Sequence, residues 1–415
     1  MKQKRPSIWT RNFTILIAGS LVSMAGNNIS SLAISMLVLD YTQSVLAFGL
    51  FQVAYLLPRL VMPLFAGPML DRRSRRKTIY VLDFFSDAFY LTAALLVEGN
   101  LISFPLLLAM AVIIGTTDSV YAVAYDSFFP TLVEPESLSR AYSVSGLLGA
   151  LTTVLVPVSA WAYEKVGLAP LFLFNAGTFL AAAVCETRIR ASETHVSTAK
   201  GTSREQLRQY GCGLREGLRF ISAEKGLLLL IAFAALSELC HIVMNTVTLP
   251  WFKSPEGLGV QVYTWVGVCG VAGRLAGSAG NYLARVPKRF RALLLTALNA
   301  AVCVCFGVYL FLPLPGMLAL SFLGSVAGAA AYAQSSSGVQ SYVPDAVRAR
   351  FNSAAAVIAS LGAILGQLLG GALGDCLPMR AVAAGSMLML LACTLLTLVA
   401  GWRRISFIFT KAGEA

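Results

Sequence analysis

Apolar stretches long enough to cross a bilayer, roughly 20 residues each, recur along the whole of this 415-residue chain. Twelve can be delimited, at 12–39, 45–70, 78–98, 101–129, 137–163, 168–187, 227–252, 257–284, 290–312, 315–342, 351–375 and 380–401. A mean hydropathy of +0.72, with 57% hydrophobic and 13% charged residues, excludes an ordinary soluble domain. The expected fold is an all-α integral membrane protein with twelve transmembrane helices.

The positive charges test that count. With both termini in the cytoplasm, all but five of the 32 Lys and Arg fall in segments on the inner side. Lys165, Lys253 and Arg380 lie outside, and Arg59 and Arg274 lie within spans. One missed or invented span would invert every later loop and destroy this asymmetry, so an even number of spans with both ends inside is expected. The net charge of +12 is thereby explained by orientation in a membrane, and nucleic-acid binding is not required. The first apolar run follows a basic start but is too long for a signal peptide and is read as a retained span. Eight cysteines without a C-x-x-C pair indicate neither a disulfide framework nor a zinc site.

Residues 67–77, GPMLDRRSRRK, form a charged hinge between the second and third spans. Gly67 permits close helix approach, Asp71 can face the positive N-terminus of another helix, and Arg72, Arg73, Arg75, Arg76 and Lys77 hold the turn on the cytoplasmic side. At a shift of 210 residues Gly67 aligns with Gly277 and Asp71 with Asn281, while Arg140 and Ser143 align with Arg350 and Ser353. Two anchors at one shift imply a duplicated six-helix unit. The halves are residues 1–187 and 227–415. Between them, 188–226 reads as a flexible linker over 192–206 followed by an amphipathic helix on the inner membrane surface, with Leu214, Leu218 and Ile221 on one face.

The string G-x-x-x-D-R-x-x-R-R-K after the second span resembles the corresponding loop of the major facilitator superfamily, apart from Ser74 where that family usually has glycine. The resemblance covers essentially the whole chain and implies two pseudo-symmetric six-helix bundles, alternating access, and a cavity lined by spans 1, 4, 7 and 10. It further implies that Asp71 latches onto the cytoplasmic start of span 11, near Asp345 to Phe351, with the arginines, Gly277 and Asn281 completing the device. The phrases FFPTLVEPESLSRAYS and REGLRFISAEKGL look like the branch containing macrolide-efflux and enterobactin-exporter proteins. Two features depart from the proton-coupled drug exporters: no arginine occurs in Leu106–Gly115, and span 5 reads VPVSAW where a glycine and proline series is usual. Glycines appear instead in span 11, as GQLLGG from Gly366 to Gly371.

Intramembrane polar residues are the candidates for a substrate or proton pathway, since charge in lipid costs several kcal/mol, about 3 on insertion scales. In span 4, Asp118, Tyr121 and Tyr125 share a helical face, with Asp126 beside them. Span 7 repeats the spacing with Glu238, His241 and Asn245. Each set either exchanges protons or locks helices together through ion pairs and hydrogen bonds. Asn27 and Asn28 interrupt span 1, and Tyr332 and Gln334 lie in a polar patch ending span 10; substrate contact and helix-to-helix bonding are both open. Arg59 and Arg274 either attract an anion or balance Asp118 or Glu238.

No P-loop, nucleophile elbow or paired metal motif is present, so no cofactor or metal is expected. The function expected is secondary active export of a small amphipathic compound, drug- or siderophore-like, in exchange for protons across the inner membrane, by a monomer embedded in lipid. The alternatives are import, a lipid-like substrate, a non-transporting sensor on the same fold, or a membrane-embedded acyl transferase using His241 and Glu238.

Overall fold

A computed structural model describes residues 9–70, 73–134, 156–190, 203–283 and 290–399, with isolated positions at 137, 141, 144, 145, 148 and 407. Thirteen α-helices and no strand occur among the described residues. They are α1 Arg11–Thr42, α2 Val45–Leu70, α3 Arg75–Glu98, α4 Phe104–Phe128, α5 Val156–Val166, α6 Leu168–Glu186 and α7 Ser203–Ala223. Then follow α8 Lys225–Lys253, α9 Val260–Leu283, α10 Arg291–Val308, α11 Leu314–Tyr342, α12 Asp345–Cys376 and α13 Met379–Thr394.

Ten of these helices, some with a following turn, are long and apolar enough to cross a membrane among the described residues. Of the other two expected spans, 137–163 is described mainly over α5, and 257–284 is the complete helix α9. Gln261, Thr264, Arg274, Ser278 and Asn281, together with five glycines, make α9 less apolar than its neighbours while leaving it long enough to span.

Local chemistry sets several helix limits. Thr10 caps α1 by accepting from the Phe13 amide at 3.2 Å, and Gln43 ends it in the left-handed region. Ser74, the residue that departs from the family pattern, is the N-cap of α3; its Oγ accepts from the Lys77 amide at 3.1 Å. A glycine there would lack this bond to the Lys77 amide.

The chain divides into two compact units, Met1–Gln43 with Ala54–Arg208, and Ser44–Val53 with Gln209–Ala415. In the first, α6 packs on α1 and α3, α3 on α4, and α5 on α1. In the second, α13 packs on α8 and α10, α10 on α11, and α12 on α8. Taken in chain order, these are the same four pairings. The span 11 glycines serve the last of them: a Cβ at Gly366 would stand 2.8 Å from the Leu239 carbonyl oxygen.

Helix α7 differs from expectation. It begins at Ser203, inside the stretch read as linker, because Arg204, Glu205, Gln206 and Leu207 are good helix formers. Its apolar face is partly taken up by protein: Ile221 is buried, Leu214 and Phe220 pack beside it, and Phe220 meets Phe351 edge-on at 6.5 Å, while Leu218 stays exposed. Glu216 pairs with Arg350, and Gly217 lies so close to α12 that a Cβ would meet the Arg350 carbonyl oxygen. Residues 191–202 lie outside the described residues.

Candidate functional site

Asp118, Tyr121 and Tyr125 of α4 are half-buried within the first unit. Asp118 Oδ2 accepts from the Tyr55 hydroxyl of α2 at 2.9 Å, and Arg59, one turn along α2, donates from Nη1 to the same hydroxyl at 3.4 Å. The Arg59 guanidinium also lies 5.5 Å from the Tyr55 ring centroid. Arg59 thus balances Asp118 through a tyrosine rather than by direct contact. Close packing makes this possible: a Cβ at Gly115 would stand 2.2 Å from the Tyr55 carbonyl oxygen. Asp118 lines a small cleft whose walls include Phe85, Phe89, Tyr90, Ile113 and Phe179. It is a carboxyl set among aromatic rings.

Tyr121 and Tyr125 stack at 6.0 Å and continue toward Phe129, 5.4 Å beyond. Beside Tyr121 lie two acids, Asp83 of α3 and Glu186 of α6, each 1% exposed. Neither was among the residues expected to matter. The available signal was the spacing Ile79, Asp83, Ser86, Tyr90, which puts Asp83 on the buried stripe of α3. Asp126 is exposed.

The other candidates are scattered. In α8, Glu238 and Asn245 are exposed, while His241 Nδ1 lies 2.8 Å from the Ser237 carbonyl oxygen of its own helix. Asn28 Nδ2 donates to Met24 O at 3.0 Å, and Asn27 Oδ1 accepts from Asn175 of α6 at 3.4 Å. Arg274 is exposed, as is Tyr332. Gln334 and Asn281, expected in separate roles, meet one another: Gln334 Nε2 donates to Asn281 Oδ1 at 3.0 Å, and Asn281 Nδ2 donates to the Ala330 carbonyl at 3.1 Å. Gly277 lets α9 and α11 approach to the point where a Cβ would be 2.4 Å from Val326 O. These three residues therefore join two helices of the second unit.

Arg75 Nη1 donates to Ser127 O at 3.1 Å, and Arg76 Nη1 to Ile189 O. Each places a cation at the carbonyl end of a helix, α4 and α6 respectively, where the backbone dipole favours it. Asp71 and Arg72 lie outside the described residues, and only the backbone is described at Gly67 and Asp345. No cluster of three or more His, Cys, Asp or Glu suited to a metal occurs among the described residues.

The family model of the Major Facilitator Superfamily matches residues 16–366. The chain belongs to this superfamily. It is a multi-pass membrane transporter of a small molecule and not an enzyme. No curated protein matches the sequence. Among solved structures, this superfamily member is similar to nucleoside transporter NupG (TM-score 0.71, 11% identity, 95% of this chain and 99% of that one). It is also similar to a bacterial homologue of the iron transporter ferroportin in inward-facing state (0.66, 16%, 98% and 99%). A bacterial homologue of the human lysosomal transporter Spinster has TM-score 0.62 and 13% identity, covering 97% of each chain. At these identities the likeness concerns the fold. Asp118 lies in α4, within the stretch that the family model matches.

Proposed function

We propose that this transporter exports a small amphipathic compound, drug- or siderophore-like, in exchange for protons. The observation that carries the reading is Asp118, a carboxyl held by the Tyr55 hydroxyl at 2.9 Å in an aromatic-walled cleft. A carboxyl in such a setting can take or release a proton as water access alternates. Glu238 and His241 on α8 supply a further acid and base one turn apart. The phrases after span 4 and before span 7 that look like macrolide and enterobactin exporters support export over uptake. The distribution of basic residues supports an inner-membrane protein with cytoplasmic termini, and the fold supports a monomer.

A survey of growth inhibitors against cells with and without the protein identifies the compound class. Flux of that compound in proteoliposomes, with and without an imposed proton gradient, then tests the coupling. Gradient-driven movement out of the cytoplasmic compartment is expected. Flux indifferent to the gradient, or uptake into the cell, would overturn the reading.

A further inference from the structure

The first unit encloses an acid pair that the reading above does not use. Asp83 and Glu186 project from α3 and α6, which pack directly on each other, and the two buried carboxyls are neighbours that interact electrostatically. None of the four carboxyl oxygens has a donor among the described residues. The site is closed from two further sides. A Cβ at Gly19 of α1 would stand 3.1 Å from Glu186 Oε1, so the glycine makes room for the acid. Tyr121 of α4 lies beside the pair, and Ser20 of α1 lies beside Tyr121. Both hydroxyls are buried without a partner, and Ser20 is only 3% exposed.

Helix packing does not demand these acids. Asp83, Ser86, Ala93 and Ala94 of α3 have the spacing of the buried Ala292, Leu295, Val302 and Cys303 of α10, which sets Ala292 at the place of Asp83. Phe172, Ala176, Phe179 and Ala183 of α6 likewise match Ala383, Met387, Leu390 and Thr394 of α13, which sets Thr397 at the place of Glu186. Ala292 is buried and uncharged, and Thr397 donates to Cys393 O within its own helix. The same helix pairing is thus built in the second unit with neutral side chains. In the first it carries two groups whose burial as bare charges is costly.

The other titratable or charged groups around the pair are Tyr121 and Tyr125 of α4 and Cys185 of α6. Arg76, two turns toward the start of α3, directs Nη1 to the Ile189 carbonyl. Helix α5 packs on α1 and α6 and carries Glu164 and Lys165 in its last turn. Two neighbouring carboxyls without a donor are satisfied by one proton held between them, as in paired-carboxylate sites.

We propose that Asp83 and Glu186 bind a single shared proton and form a proton-binding site of the first unit, with Tyr121 at its edge. The coupling role rests on the transport reading; the binding itself rests on the geometry. The proton is retained while the site is closed to water, and the second charge is tolerated when water reaches the pair.

Infrared spectroscopy of the purified full-length protein in detergent, titrated with pH, reads this without any substrate. A protonated-carboxyl band is expected in the wild type, and it is lost or shifted in both Asp83→Asn and Glu186→Gln. Thermal unfolding across the same pH range gives a second reading. The folded pair holds a proton that the unfolded chain releases, so wild-type stability falls as pH rises, and the slope flattens in the double variant. No protonated band in the wild type, or bands and slopes unchanged in the variants, would overturn the proposal. So would stabilisation by sodium chloride, but not choline chloride, that disappears in both variants, because the ligand would then be a metal cation. Neither measurement involves flux, so a failure of the transport reading leaves a distinct signature.

Discussion

Asp375 Oδ1 accepts a hydrogen bond from the Val45 backbone amide at 2.6 Å. Its Oδ2 accepts from the Ser44 hydroxyl at 2.7 Å and from the Leu46 amide at 3.2 Å. A carboxylate at the end of α12 therefore caps the first turn of α2, where amides lack intrahelical partners and the dipole is positive. Asp375→Ala should destabilise the protein by about 1–2 kcal/mol, the usual cost of a lost cap. Thermal unfolding in detergent and faster hydrogen exchange at Val45 and Leu46 check it; Asp375→Asn should fall between wild type and Ala.

The approach of α4 to α2 has no slack. A Cβ at Gly115 would meet Tyr55 O at 2.2 Å, whereas one at Gly177 would meet nothing within 4 Å. Gly115→Ala should lower the yield of monodisperse protein and its melting temperature, by roughly 1–3 kcal/mol as for overpacked cores. Gly177→Ala should be silent, or slightly stabilising through helix propensity.

The docking of α7 depends on Gly217 and not on its ion pair. Glu216 and Arg350 are about half exposed, and such a pair contributes little, ~0–1 kcal/mol. Glu216→Gln should therefore leave α7 protected from limited proteolysis, while Gly217→Val should expose it to cleavage.

Tyr55→Phe deletes the hydroxyl that donates to Asp118 while keeping the ring under Arg59. A buried acid without its donor should shift the pH dependence of transport and cost ~1–3 kcal/mol in stability. An unchanged pH profile would show that the hydroxyl has no part in the acid's titration.

Much of the fold was legible because a bilayer imposes its length on every span. The duplication was legible through Gly67 and Gly277, and the α4 face through the spacing of Asp118, Tyr121 and Tyr125. Asp83 and Glu186 were not, because the packing of α3 on α6 is a tertiary contact that no local spacing encodes. Only packing reveals that two acids more than a hundred residues apart are neighbours. Asn281 and Gln334 were visible as polar residues, but their mutual hydrogen bond depends on how closely α9 approaches α11. The cap at α2 was equally hidden, since Asp375 lies far from Val45 in the chain.

The central claim is that acids in the spans of the two units, Asp118, Asp83 with Glu186, and Glu238, couple protons to solute movement. It is tested most directly by proteoliposomes carrying an imposed proton gradient, in which flux of a compound identified by the growth survey is followed for wild type, Asp118→Asn, Glu238→Gln and Asp83→Asn/Glu186→Gln. The account predicts gradient-driven flux in the wild type and at least tenfold weaker gradient dependence, a change of about 1.4 kcal/mol or more, in Asp118→Asn and in the double variant, with Glu238→Gln also reduced. Wild-type gradient dependence in all of these variants would contradict it.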